Sequence, residues 1–389
     1  MKTYLRSPFL LAAGLFLMLP SCQKEDFTSS ATNDATLETR NGHGGYHHGN
    51  GIPGEVYTMS NSADGNEVIV FSRDARGWLQ PYRNYATGGN GTSGGLGSQG
   101  AIIVHGHFLF VVNAGSNSIT SFIINGNKLE MVQTVNSQGT MPISLTAHGD
   151  VLYVLNGGGN GNIAGFSIDP DGMLAYLEGS ERPLSAAAPA PAQIEFNNWG
   201  TYLVVTEKGT NMLTVYKVDH NGIAGTPKAY PSSGITPFGF AFDNHDHVIV
   251  SEAFGGAPNA SAMSSYQLSY TGSISTISGA VPTHQTAACW VAVTENGRYA
   301  YTTNFGSNNV SGYKIDPDGT LTLLNSSGVT GWTADGPLDM ALSRNSQYLY
   351  ILNANRDNIT MFRIRYDGSL TPLGNIGNLP ASAVGLAAR

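Results

Sequence analysis

Apolar and polar residues alternate along most of the chain in short runs, and many runs stop at an Asn or an acid followed by a tight turn. In YAYTTNFGSNNVSGYKIDPDGTL, residues 299 to 321, YAYTTN alternates as a strand, FGSN turns, NVSGYKI alternates again and DPDG closes a hairpin onto TLTLL. Before such a unit lies one more alternating run, for example CWVAV or PLDMALS. The pattern therefore predicts units of four antiparallel strands, numbered one to four outward, with the Asn at the end of strand two.

The unit recurs. LFVVNAGSNSITSFIINGNKL, LYVLNGGGNGNIAGFSIDPDGML, YLVVTEKGTNMLTVYKVDHNGI and LYILNANRDNITMFRIRYDGSL are clear copies, VIVSEAFGGAPNASAMSSYQLSYTGSI is a looser one and VYTMSNSADGNEVIVFSRDARGWL is the first. The Asn, or the acid in its place, falls at 61, 113, 156, 207, 252, 304 and 353, at spacings of 43 to 52 residues, each about one four-stranded propeller blade. The first unit begins at its second strand, and the chain ends in LPASAVGLAAR, which is similar to the innermost run GPLDMALSR. The expected fold is all-β: a seven-bladed β-propeller over residues 55–389, closed by pairing of the N- and C-terminal segments in one blade.

Composition agrees with this. Charged residues make up 12 % of the 389, and 49 are glycine, which suits many turns and a neutral, hydroxyl-rich surface. At the N-terminus Lys2 and Arg6 precede PFLLAAGLFLML, an apolar run too short to span a membrane and placed as a signal-peptide core over residues 1–21. It ends in LPSC, which resembles the bacterial lipoprotein cleavage box. That resemblance makes Cys22 the lipidated first residue of the mature chain, anchored to a membrane by lipid alone. The QKED that follows resembles an export signal, so the expected location is the outer membrane, exposed at the cell surface. Removing Lys2 and Arg6 leaves 17 basic against 27 acidic residues, a balance that argues against nucleic acid as a partner. Residues 22–54 lack periodicity and read as a tether. Within them His43, His47 and His48 invite a weak metal site, but a solvated linker is the simpler reading, and neither a metal nor a cofactor is expected.

The repeat with its DPDG hairpins, over essentially all of residues 55–389, resembles the seven-bladed lactonase propellers, the group of 6-phosphogluconolactonase-like and carboxymuconate-cyclase-like proteins. The resemblance implies a small lactone-type or sugar-like ligand at the mouth of the central channel. Opening or closing a lactone needs a base and donors for the charge growing on the carbonyl oxygen. The resemblance also implies a His on strand one, fourteen positions before the anchor, and a Glu just after an anchor Asn. Counting back gives Gln99, Gln193, Trp290 and Asp339, and matching the strand-one Pro gives Ser144 and Gly239; the closing strand offers Ala383. None is His, and Phe305 stands where the Glu belongs.

What the sequence does offer is Glu207 and Glu252 at anchor positions and Glu195 on strand one, where the same count gives Ala101, Ala292 and Ala341 in other blades. A confined carboxylate is either hydrogen-bonded or shifted in pKa. The expected base is thus Glu207 or Glu195, with Gln193, Gln99 and His284 as orienting donors and Glu252, Trp290 and Asp339 as further contacts. Each has a plainer reading: acids at strand ends commonly bond loop amides, His284 falls in a long loop, and Trp290 packs between blades without a ligand. Cys289 reads as a buried structural residue. Lys208 is the one basic residue beside the mouth positions, which disfavours a phosphorylated lactone. The alternative to an enzyme is a binding propeller that kept the fold without the His and Glu.

Overall fold

The structure, a computed structural model, describes residues 53–389; Cys22, His43, His47 and His48 lie outside the described residues. The chain forms seven antiparallel sheets around an axis. Blade 1 takes strands Gly54–Met59, Glu67–Arg73 and Leu79–Ala86 from the start of the domain and Val384–Ala388 from its end. The innermost strands of blades 2 to 7 are Ile102–His105, Pro142–His148, Pro191–Phe196, Pro237–Phe242, Ala288–Val293 and Pro337–Leu342. The expected closure is present: Thr58 pairs with Leu386, and the Thr58 hydroxyl adds a 2.7 Å bond to the Gly385 carbonyl.

Second strands are buried on both faces because each blade is stacked between two others. Phe108–Asn113, Val151–Asn156, Tyr202–Glu207, His247–Glu252, Tyr299–Asn304 and Tyr348–Asn353 are almost wholly buried, whereas the outermost Leu79–Ala86 is mostly exposed. Six of the seven anchors end a second strand as expected. Asn61 lies two residues beyond Met59, in a left-handed turn just after the pairing with the closing strand shifts register between Thr58 and Met59.

The paired tyrosines of YAYTTN gain a specific meaning. Residues two apart share a strand face, and Tyr299 and Tyr301 both reach the outer hairpin of blade 7, donating to the carbonyls of Tyr366 (3.0 Å) and Gly368 (2.8 Å). Tyr348 and Tyr350 repeat this onto Ala75 (2.9 Å) and Gly77 (3.0 Å) of blade 1. The bonds to Gly368 and Gly77 satisfy carbonyls that stacking the blades takes out of water.

The anchor Asn does less for the turn than its position suggests. Asn304 Nδ2 donates across the sheet to Asn309 Oδ1 (2.7 Å) and the Ser311 hydroxyl (2.8 Å). The turn is shaped instead by the residue four further on, left-handed in Asn117, Asn211, Asn308 and Asp357, a conformation that Asn and Asp adopt more readily than most residues. Its side chain also ties the ring. Asn117, Asn211 and Asn308 accept from the backbone N–H of Met141, Thr236 and Gly336, the residues just before Pro142, Pro237 and Pro337 in the next blade.

Candidate functional site

The channel is sealed at the face where the innermost strands begin. Trp290, fully buried, donates its indole N–H to the Ser98 carbonyl (2.9 Å), which links blade 6 to the segment entering blade 2. Phe238 packs against it with ring centres 4.9 Å apart, and Lys208 Nζ lies 4.5 Å from the Phe238 ring centre while donating to the Gly97 carbonyl. Desolvation there pulls the Lys208 amine down to about 8. Phe305, in the short turn Phe305–Ser307, packs half-buried against the same apolar cluster. Phe238 and Ser98 carry no signal of their own in the sequence; only Trp290 does.

Gln99 closes the same end. Its amide bonds Val291 twice, Nε2 to the carbonyl (2.6 Å) and Oε1 from the N–H (2.9 Å). It passes over Gly239, where an added Cβ would come within 2.3 Å of Gln99 Oε1 and 2.8 Å of the Cys289 carbonyl. A His at 239 therefore has no room. Counting fourteen back also misplaces blade 2: its first hairpin turns in two residues, Gly106 and His107, where blade 4 uses Asn198–Thr201. Ala101, not Gln99, thus shares the level of Gln193, and Ile103, not Ala101, shares the level of Glu195.

The anchor acids bond donors of their own blades and of the segments leading into them. Glu207, fully buried, accepts from the Ser185 N–H (2.9 Å), the Ser185 hydroxyl, Thr210 (2.8 Å) and Thr214 (2.7 Å). Glu252 Oε1 accepts from Ser232 (2.8 Å), the Gly234 N–H (2.7 Å), Ser264 (2.8 Å) and Tyr266 (3.1 Å), while its buried Oε2 has no hydrogen-bond partner among the described residues. His284 is exposed in the loop between blades 5 and 6 and is not among the channel-lining residues. Cys289 is fully buried. Asp339 is buried, accepts from the Gly385 N–H (2.9 Å), and is pushed up to about 8 by desolvation.

Below the seal the channel widens into a cavity of about 350 Å³, lined by the innermost strands of blades 1, 2, 3, 4, 5 and 7 and running to their ends at His105, Leu342 and Ala388. Glu195 projects into it at the level of Ile103, Thr146, Ala241, Ala341 and Leu386. Burial among these neighbours pushes its carboxyl up to about 8, so it is mostly protonated at neutral pH. Gln193 holds it: Nε2 donates to Glu195 Oε2 (2.9 Å) and to the Phe240 carbonyl (2.8 Å), and Oε1 accepts from the Phe240 N–H (2.7 Å). His105 Nε2, at the rim, lies 2.8 Å from the Gly149 carbonyl. No Lys or Arg is among the cavity-lining residues.

Seven blades, five of four strands and two with a further short strand on the third, surround a channel closed at one end and define a β-propeller with a blind axial pocket. The chain belongs to the lactonase family of seven-bladed β-propellers, whose family model matches residues 43–180, 180–253 and 259–383. Among solved structures it is similar to a candidate 6-phosphogluconolactonase of Bacteroides fragilis NCTC 9343, at 19 % identity over 86 % of this chain and 98 % of that one, TM-score 0.68. It is also similar to a protein from Lactobacillus plantarum, at 16 % identity over 87 % and 100 %, TM-score 0.71. A periplasmic gluconolactonase of Pseudomonas aeruginosa stands at 16 % identity over 87 % and 99 %, TM-score 0.69. At these identities the likeness is one of fold. No curated protein matches the chain.

Proposed function

We propose that this chain is a binding member of the lactonase family, taking a small neutral molecule into the blind cavity around Glu195 rather than opening a lactone at the sealed face. The observation that carries this is the Trp290 indole bonded across the channel to Ser98, with both carboxylate oxygens of Glu207, and Oε1 of Glu252, taken up by donors of their own blade and of the segment leading into it. A protonated Glu195 beside Gln193 offers one donor and several acceptors within aliphatic walls, which suits a sugar-like or lactone-type ligand. A phosphorylated lactone is disfavoured, because no guanidinium or ammonium lines the cavity to meet its charge.

The raised pKa of Glu195 favours a second reading, hydrolysis of an unphosphorylated lactone with Glu195 as the base and Gln193 orienting it. One experiment separates the two. The purified chain is offered a panel of lactones and their ring-opened acids, with turnover and calorimetric binding measured on the same samples. The expected result is binding without turnover, weakened at least tenfold in Glu195→Leu. Turnover that Glu195→Gln abolishes supports the hydrolase instead, and neither binding nor turnover sinks both.

Lipid on Cys22, with the domain held outside the cytoplasm at the outer membrane, belongs to the same proposal and rests on the LPSC box. The mass of the mature N-terminus reads it directly: an unmodified Cys22, or an uncleaved leader, would end it.

A further inference from the structure

The turn between the first two strands of blade 5 reads Asp243-Asn244-His245-Asp246-His247, and it gathers three metal-ligating side chains away from the channel. Asp243 and His247 are buried and His245 is exposed. Asp243 Oδ1 accepts the backbone N–H of both His245 and His247 (2.9 Å each), which folds the turn so that the two imidazoles fall on one side. Asp243 Oδ2 lies 2.8 Å from His247 Nδ1. From the neighbouring blade, Asn198 N–H and Asn197 Nδ2 bond Asp246 at 2.9 and 2.8 Å, so the turn is braced from outside as well.

One carboxylate oxygen of Asp243 and one nitrogen from each imidazole lie within 4.8 Å of one another. The imidazole centres of His245 and His247 are 5.8 Å apart. With Zn–N of about 2.0–2.1 Å and tetrahedral angles, two rings sharing an ion have centres about 5–5.5 Å apart. A rotation of His245, which solvent leaves free to turn, covers that difference. We propose that Asp243, His245 and His247 form a binding site for a divalent transition metal of the zinc type. Two imidazoles and one carboxylate suit zinc, nickel or cobalt rather than calcium or magnesium. Three protein ligands leave a fourth position for water or an exogenous oxygen. His245 also lines a groove of about 450 Å³ bordered by Trp199 and Tyr270, so that position lies beside a solvent-open surface.

The test is titration of the full chain with zinc chloride by calorimetry, in the wild type, in His245→Ala and in the triple variant His43→Ala/His47→Ala/His48→Ala, which removes competing imidazoles. His245 is exposed, so its replacement leaves the fold intact. Zinc binding retained by the triple variant and weakened at least tenfold by His245→Ala is the expected result, with an anomalous peak at the blade 5 turn in zinc-soaked crystals. Equal binding by His245→Ala, or none by the triple variant, overturns the site and leaves Asp243 and His247 as a turn-bracing pair.

Discussion

Glu207 and Asn304 occupy the same place in two blades and face the same kind of partner with the hydrogen-bond direction reversed. Asn304 donates to the Ser311 hydroxyl, whereas Thr214, also seven residues beyond its anchor, donates to Glu207. The sequence marks Glu207 as an oddity, but it does not reveal that a hydroxyl can satisfy either group by turning its proton. Glu195 is different, because its level in the ring is otherwise filled mainly by small or aliphatic residues that satisfy nothing. Its carboxyl titrates near 8 in the fold against an ordinary 4.5, and Asp339 near 8 against 3.8. A raised value means that the unfolded chain releases the proton first. Stability is then fully present below about pH 4 and is lost as pH rises to about 8. Glu195→Gln and Asp339→Asn are therefore expected to match the wild type near pH 4 and to exceed it at pH 8–9, by on the order of a few kcal/mol. Urea unfolding across that range checks this, and a difference independent of pH would refute it.

At the scale of strands and turns, the repeat made the blades legible, since alternation, the anchor and the hairpin glycine recur in fixed order. What it left unreadable was the level at which each innermost side chain meets the axis. Two residues fewer in the Gly106–His107 turn slide blade 2 against blade 4, and a count from the anchor cannot see a turn on the other side of the strand. Gly239 shows the same limit: its lack of a side chain reads as neutral in the sequence, yet it is the space through which Gln99 reaches Val291. Gly239→Ala is expected to lower stability by about 1–3 kcal/mol through overpacking against Gln99 and the Cys289 carbonyl. Thermal unfolding measures it, and an unchanged midpoint would show that the crossing relaxes without cost. The turn at residues 243 to 247 drew no notice in the sequence: its Asp-x-His-x-His spacing gains meaning only once the Asp243 carboxylate is seen to fold the two imidazoles together.

Across the whole molecule the ring is held by its last strand, and that strand does a second thing. Leu386, Ala387 and Ala388 form part of the cavity wall. Detaching the C-terminus would therefore open the pocket as well as the circle, and under the proposed binding function a molecule in the pocket would bind only while the strand is docked. Occupancy and closure become one linked equilibrium, in which ligand at a hundred times its Kd favours the docked state by about 2.7 kcal/mol. Digestion by a carboxypeptidase is expected to slow roughly a hundredfold under that condition, and a chain ending at residue 383 is expected to lose both the ligand and the cooperative melting transition. The tail would then report occupancy of a pocket buried at the axis to proteases acting at the edge of the fold.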